Sequence, residues 1–318
     1  MIQEFAIEPA VLDCWSRYEY FMADCGVEKG RLVAEFPLFH WKKRVWQAVS
    51  TNPQRTAKDE QKVQYHLQHT ADAKLVYLAR SYHFQAGAPT WVAQAVHEHA
   101  AKPFRAIVSV AKVEGAAHVL PVDDFDKDLL PLWQVTTSCP IARTPEDIAN
   151  LTRLLCAGSK LVKLLDPHLD SGESRFKKSV GKLFERICLV ADSKVRIEVH
   201  SGCKQSQQDF ADKLQSDWPK LIPPGRKVFF HRWTEEPQGE QLHRRLILSE
   251  RGGILVEAGL DAGPQGQSTT ATLLSAAEHL RFWKGLVIPG AAGSCPDALY
   301  EFKDSCEVSG GGHGYQRR

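Results

Sequence analysis

The chain has 318 residues, 43% hydrophobic and 25% charged, with a formal net charge of +2. That length suffices for two domains with sizeable cores, and the near-zero charge excludes a global field toward nucleic acid or membrane, so any anion site has to be a local patch. No apolar run reaches the roughly 18 residues of a membrane span, and MIQEFAIEPA lacks the basic and apolar regions of a secretory leader. None of the eight cysteines stands in a C-x-x-C pair, which argues against a zinc ribbon or a thioredoxin-like site. The expectation is a cytoplasmic protein with free thiols.

In chain order, Glu8-Pro9 opens an expected helix that runs to Cys25 and stops at Gly26, with Trp15 and Tyr18 on its core stripe. Gly30 to Pro37 is extended, and His40 to Val49 is a helix with Lys42, Lys43 and Arg44 beside two tryptophans. Lys58 to Gln68 reads as a polar helix, Leu75 to Phe84 fits strand or helix, and Gly87 to Pro89 breaks the chain. Trp91 to Ala100 is helical, and Phe104 to Ala111 and His118 to Val122 are strands. These elements give an α+β N-terminal region over 1–143, with a connection at Pro131 to Pro140.

From Thr144 the order is regular. Thr144-Pro145-Glu146-Asp147 is an N-cap, a first-turn proline and two first-turn acids, so a helix begins there. Strands at 160–165, 195–200 and 228–233 alternate with helices at 175–187 and 207–221, and another helix is expected over Ala271 to Phe282. This alternation predicts an α/β domain over 144–308 with a mixed sheet flanked by helices, followed by a Gly-rich flexible tail at 309–318.

Gln241 to Asp261, QLHRRLILSERGGILVEAGLD, is predicted to be a hairpin: Leu242 to Ser249, a turn at Glu250-Arg251-Gly252-Gly253, then Ile254 to Ala258. Side chains alternate along a strand, so His243 and Arg245 are expected on one face, within reach of one anion. On residues alone they can equally pair with Glu250, Glu257 or Asp261 in a buried polar network.

The spacing resembles the phospholipase D superfamily signature, H-x-K-x4-D-x6-G-S-x-x-N. Without a gap, His243 falls on the nucleophilic histidine, Arg245 on the phosphate-binding lysine, Glu250 on the acidic position and Asp261 on the asparagine. Glu257-Ala258 replaces Gly-Ser. The looser string L-H-x-R…G-G…G-L-D is also similar to the phospholipase-D-like C-terminal domain of microtubule-interacting-and-trafficking proteins, a group that kept the fold and lost the chemistry.

The resemblance implies a phospholipase D-like sheet over about residues 158–290. It implies no metal and no cofactor. Catalysis would require two histidines, so with one motif per chain a phosphodiesterase is expected to be a homodimer. Arg244, Asp261, His200 and His231 are the expected ligand-binding residues; His200 and His231, like Asp166 and His168, sit where strands of the sheet finish, and ligands of α/β sheets collect at such ends. The loss of the Ser and Asn positions favours a non-catalytic or degenerate module that binds a phosphate-bearing ligand, DNA, RNA or a lipid headgroup, or a protein partner. The alternative is a metal-independent phosphodiesterase or nuclease that passes through a phosphohistidine on His243. The N-terminal region would supply specificity or protein partners. In general look it is similar to proteins encoded beside bacterial anti-phage systems.

Overall fold

Short, consecutive apolar runs build the first sheet. The protein is described by a computed structural model covering residues 1–78, 80, 90–235, 241–288 and 298–311, together with the backbone of 315–317. It forms two compact units, Met1–Thr137 and Ser138–Arg318. The expected break at Gly87 to Pro89 and half of the ambiguous stretch before it lie outside the described residues.

In unit 1, strands β1 (Gln3–Ile7), β2 (Arg31–Ala34), β3 (Leu75–Val76), β4 (Ala106–Ser109) and β5 (Val119–Pro121) lie in the order β3-β2-β1-β4-β5, all parallel. Phe5, Ile7, Val33 and Val108 share one core with residues of helices α1 (Trp15–Met22), α2 (Trp41–Thr51) and α3 (Ala57–His69). Ala6, Ala34 and Ile107 share a second core with α4 (Trp91–Ala101). Strands covered on both faces read as unbroken apolar runs rather than alternating ones. The region expected to be α+β is therefore α/β. The expected helix from Pro9 to Cys25 is also interrupted: a 3-10 turn over Pro9–Leu12 precedes α1.

One charge cluster is sealed into this unit. The Arg80 guanidinium binds Glu4 of β1 through Nε (2.9 Å) and Nη2 (2.5 Å), and its Nη1 lies 3.5 Å from Glu98 of α4. It also lies 3.8 Å from the Phe104 ring. The side chains are only 2% exposed for Arg80 and 4% for each glutamate, so this is a buried triad and not a surface pair.

Unit 2 is a nine-stranded mixed sheet, in the order β14-β13-β9-β8-β7-β10-β11-β12-β6. Its parallel centre is β7 (Leu161–Leu165), β8 (Arg196–Gly202) and β9 (Lys227–Thr234). The hairpin β10 (Leu246–Ser249) and β11 (Gly252–Val256) joins antiparallel to β7, and β12 (Ser268–Leu273) and β6 (Ser138–Ala142) follow. Beyond β9 lie β13 (Glu301–Ser309) and β14 (Tyr315–Arg317). One face holds Val162, Leu164, Ile197, Val199 and Phe230, whose register alternates with that of Leu165, Leu246 and Leu248 on the other. The latter share a core with Phe282 and Leu286, at and just beyond the end of helix α9 (Ala276–Gly285). Helices α5 (Pro145–Asn150), α6 (Thr152–Leu155), α7 (Ser174–Val190) and α8 (Gln207–Asp217) complete the unit.

Four expectations change. The sheet of unit 2 starts at Ser138 rather than after 143. The stretch expected to be helical from Ala271 opens as strand β12, and α9 starts at Ala276, where Ser275 and Glu278 form a capping box. Part of the expected flexible tail, Tyr315–Arg317, pairs with β13. Finally, the β10–β11 turn is only Glu250-Arg251, because Ser249 already pairs with Gly252. Gly253 is required for packing rather than for turn geometry: a Cβ there would come within 2.5 Å of Leu248 and 2.8 Å of Leu274.

Candidate functional site

Ligands of α/β sheets collect beyond the carboxyl ends of parallel strands. In unit 2 that edge is formed by the residues after β7, β8 and β9, and by those before β10, which runs antiparallel to β7 and pairs Leu246 with Leu165. His243, Arg244 and Arg245 are delivered there. They precede β10 rather than lie in it, so the strand alternation expected to align His243 with Arg245 does not operate.

The organiser of this edge is Asp166, buried directly after β7. One carboxylate oxygen accepts from the His168 N–H (2.9 Å) and the other from the Leu260 N–H (2.8 Å), tying the β11–β12 connection to the end of β7. Burial pushes its pKa up, and the two N–H donors and the Arg245 charge oppose that rise. Asp261 is brought alongside and forms ion pairs with Arg143 (2.8 Å) and Arg175 (3.1 Å). Gly259 makes this approach possible. Its φ is +117°, and a Cβ would stand 2.7 Å from an Asp261 oxygen and 3.1 Å from an Asp166 oxygen. Gly259→Ala is expected to cost about 1–3 kcal/mol in backbone strain and more through crowding of the two carboxylates, so in urea denaturation it should exceed Gly266→Ala, where φ is also positive but the space is open.

His168 completes the cluster. Lys204, just beyond β8, donates to its Nδ1, which leaves the ring proton on Nε2. Burial holds His168 below its ordinary value, and the nearby charges of Lys204, Arg245 and Arg175 push the same way while Asp166 opposes them. Among the described residues, neither Arg245 nor Lys204 has a carboxylate within ion-pair reach. Both remain available to an anion. Beside Lys204 lies a hollow of about 290 Å³ lined by Pro167, Cys203, Trp233, Thr234 and Leu242, among others.

The remaining predicted residues divide. His243 is exposed and its Nδ1 donates to the Gln241 carbonyl (2.9 Å), which leaves Nε2 as the free base. Arg244 is half-buried in the same segment. Glu250 is not at this edge. It lies at the far end of β10 and accepts from the Lys160 (2.9 Å) and Leu161 (2.7 Å) backbone N–H groups at the start of β7.

His200 and His231 are also absent from the opening. They pair across β8 and β9, fully buried, with ring centroids 5.1 Å apart. His200 Nδ1 accepts from the Trp233 indole (3.0 Å), while both ring nitrogens of His231 lack a hydrogen-bond partner among the described residues. On the same face Lys163 donates to the Trp283 (2.9 Å) and Leu286 (2.7 Å) carbonyls at the end of α9. Glu198 Oε2 lies 3.4 Å from His200 Nε2 without the alignment of a hydrogen bond. These residues hold the sheet to its covering layer rather than face a ligand.

Sequence reasoning missed Arg175, Lys204 and Arg143. The available signal was positional: each follows closely on a strand end or opens a helix beside one. No group of three or more potential metal-ligating residues occurs among the described residues, and no helix among them is long and apolar enough to cross a membrane. Neither a family model nor a curated protein matches the chain.

Proposed function

We propose that unit 2 is a phospholipase D-like module that binds a phosphate-bearing ligand without turning it over. The observation that carries this reading is the pair of cations Arg245 and Lys204, both without carboxylate partners among the described residues, flanking His168 at the carboxyl edge of the parallel strands. An arginine fork suits phosphate oxygens, and a lysine adds a point charge beside it. Absence of turnover is supported by Asp261. At the position where the phospholipase D signature has an asparagine, it is an anion engaged by two arginines. Glu250, on the acidic position, is occupied by backbone N–H groups.

Binding is tested with inorganic phosphate, a short single-stranded oligonucleotide and phosphatidic acid vesicles, at two salt concentrations. Arg245→Ala and Lys204→Ala are each expected to weaken the preferred probe about tenfold or more, the scale of one charge-assisted hydrogen bond. Affinity should fall as salt rises. Unchanged affinity in both variants would remove the proposal, and the ranking of the probes identifies the source of the phosphate.

One observation favours the second reading, a homodimeric phosphodiesterase. The Gln241 carbonyl fixes the His243 tautomer so that an exposed, unprotonated Nε2 is presented, as a nucleophile would need. Hydrolysis of bis(p-nitrophenyl) phosphate in EDTA that disappears in His243→Ala would establish that reading in place of the first.

A further inference from the structure

Three side chains from three separate connections converge at the carboxyl edge of unit 2. His168 follows β7, Lys204 follows β8 and Arg245 precedes β10. Lys204 donates one of its three protons to His168 Nδ1 and keeps two. Arg245 is half-buried, and its Nε is shut off from water with no hydrogen-bond partner among the described residues. His168 is exposed at the surface, yet partial burial of its ring, then the charges of Lys204, Arg245 and Arg175, hold its pKa below the ordinary value against the pull of Asp166. The imidazole is therefore uncharged at neutral pH, and its Nε2–H is a neutral donor beside two cations. The carboxylates of this edge do not occupy these donors. Asp166 accepts from two backbone N–H groups, and Asp261 is held by Arg143 and Arg175.

The adjoining hollow of about 290 Å³ is lined by Lys204, Pro167, Cys203, Thr234, Glu235 and Leu242, among others. One part of its wall is acidic. Glu235 Oε1 accepts from the Leu242 N–H (2.9 Å), and its second oxygen has no hydrogen-bond partner among the described residues. A second phosphate placed there would be repelled by that charge, whereas a hydroxyl would donate to it.

We infer, on the premise that unit 2 binds phosphate at this edge, that its ligand is a phosphate monoester rather than a diester, held by Arg245, Lys204 and His168, with a hydroxyl-bearing alcohol part in the hollow. Near neutral pH a monoester carries close to two negative charges on three terminal oxygens. Two cations and one neutral donor match both numbers. A diester carries one charge on two terminal oxygens, so one cation stays uncompensated and the imidazole N–H has no oxygen left to bind. The hollow gives one ester group a seat, and Glu235 disfavours the next phosphate of a nucleic-acid strand. Its volume lies just under the usual range of small-molecule sites, about 300–1,000 Å³, so the alcohol part is small.

The test titrates glycerol 3-phosphate, and separately its methyl ester, into the full chain by calorimetry at pH 7.5. The monoester is expected to bind about tenfold or more tightly than the methyl ester. His168→Phe keeps a ring at this exposed position and removes the donor. It should weaken glycerol 3-phosphate about tenfold, the scale of one hydrogen bond to a charged group, and leave the methyl ester within about twofold. Two further pairs locate the source of the monoester: an oligonucleotide with and without a 5′-phosphate, and vesicles of phosphatidic acid against phosphatidylglycerol. The pair that reproduces the tenfold gap identifies a nucleic-acid end or a lipid; a gap in the glycerol pair alone identifies a free small molecule. If Arg245→Ala alters the affinity of neither glycerol compound, there is no phosphate site at this edge, and the premise falls together with the inference. If Arg245→Ala weakens both but the two bind the unaltered protein equally, or His168→Phe weakens both alike, the phosphate site stands and the choice of a monoester is overturned.

Discussion

Arg80→Met is expected to destabilise unit 1 by about 3–5 kcal/mol, the cost of removing one partner from a buried ion pair. The methionine fills much of the same volume but leaves Glu4 and Glu98 without the guanidinium, and it removes the donor to the Lys102 carbonyl (2.6 Å). The stacking of the guanidinium on Phe104 is lost as well. Thermal denaturation followed by circular dichroism measures the effect. A loss below about 1 kcal/mol would mean that the triad is not sealed from water.

The second large effect is acid destabilisation of unit 2. Burial pushes the His231 imidazole down to about 3, from an ordinary value near 6.5. Glu198 is held down at about 2: its burial acts upward, but the adjacent His200 ring and the nearby His231 and Lys163 charges outweigh that. The signs agree. Between pH 6.5 and 3 the unfolded chain takes up a proton that folded His231 refuses, so stability falls as pH falls through that window. Below about 4.5 unfolded Glu198 protonates before the folded one, adding to the loss down to about pH 2. Each tenfold difference in proton affinity between the folded and unfolded chain is worth about 1.4 kcal/mol, so the histidine alone accounts for several kcal/mol. His231→Leu is expected to flatten the decline between pH 6.5 and 4.5, where Glu198 does not yet contribute. Urea midpoints across that range that run parallel in the two proteins would refute this.

Much of unit 2 is legible in the sequence because its signals are local. The Thr144 cap does accept from the Asp147 N–H, and β7, α7, β8, α8 and β9 lie where periodicity puts them. The elements that escape are those whose identity depends on partners. Ser-Thr-Thr-Ala-Thr-Leu alternates as a strand should, but it runs into a strong helix and reads as part of it, although the Ser275…Glu278 capping pair marks where the helix begins. Strand β6 contains Pro140, which local propensity counts against a strand and an edge position tolerates. In unit 1 the unrecognised strand β1 conceals the strand–helix alternation, so a parallel sheet reads as α+β. At the site, the motif correctly draws attention to the segment before β10. It misplaces Glu250, because an acid at a hairpin turn belongs to the far end of the strand. Lys204 and Arg175 cannot be found from spacing alone, since they meet the Asp166 cluster only through the sheet.

Strand β6 forms one rim of the nine-stranded sheet, and its alternate residues Ser138, Pro140 and Ala142 are exposed. An extended peptide that tried to zip onto this rim would need an unbroken row of amide donors, and the pyrrolidine nitrogen interrupts it. Pro140 thus acts as a gatekeeper against edge-to-edge polymerisation, and replacing it with a valine would turn a blunt margin into a template for fibrils.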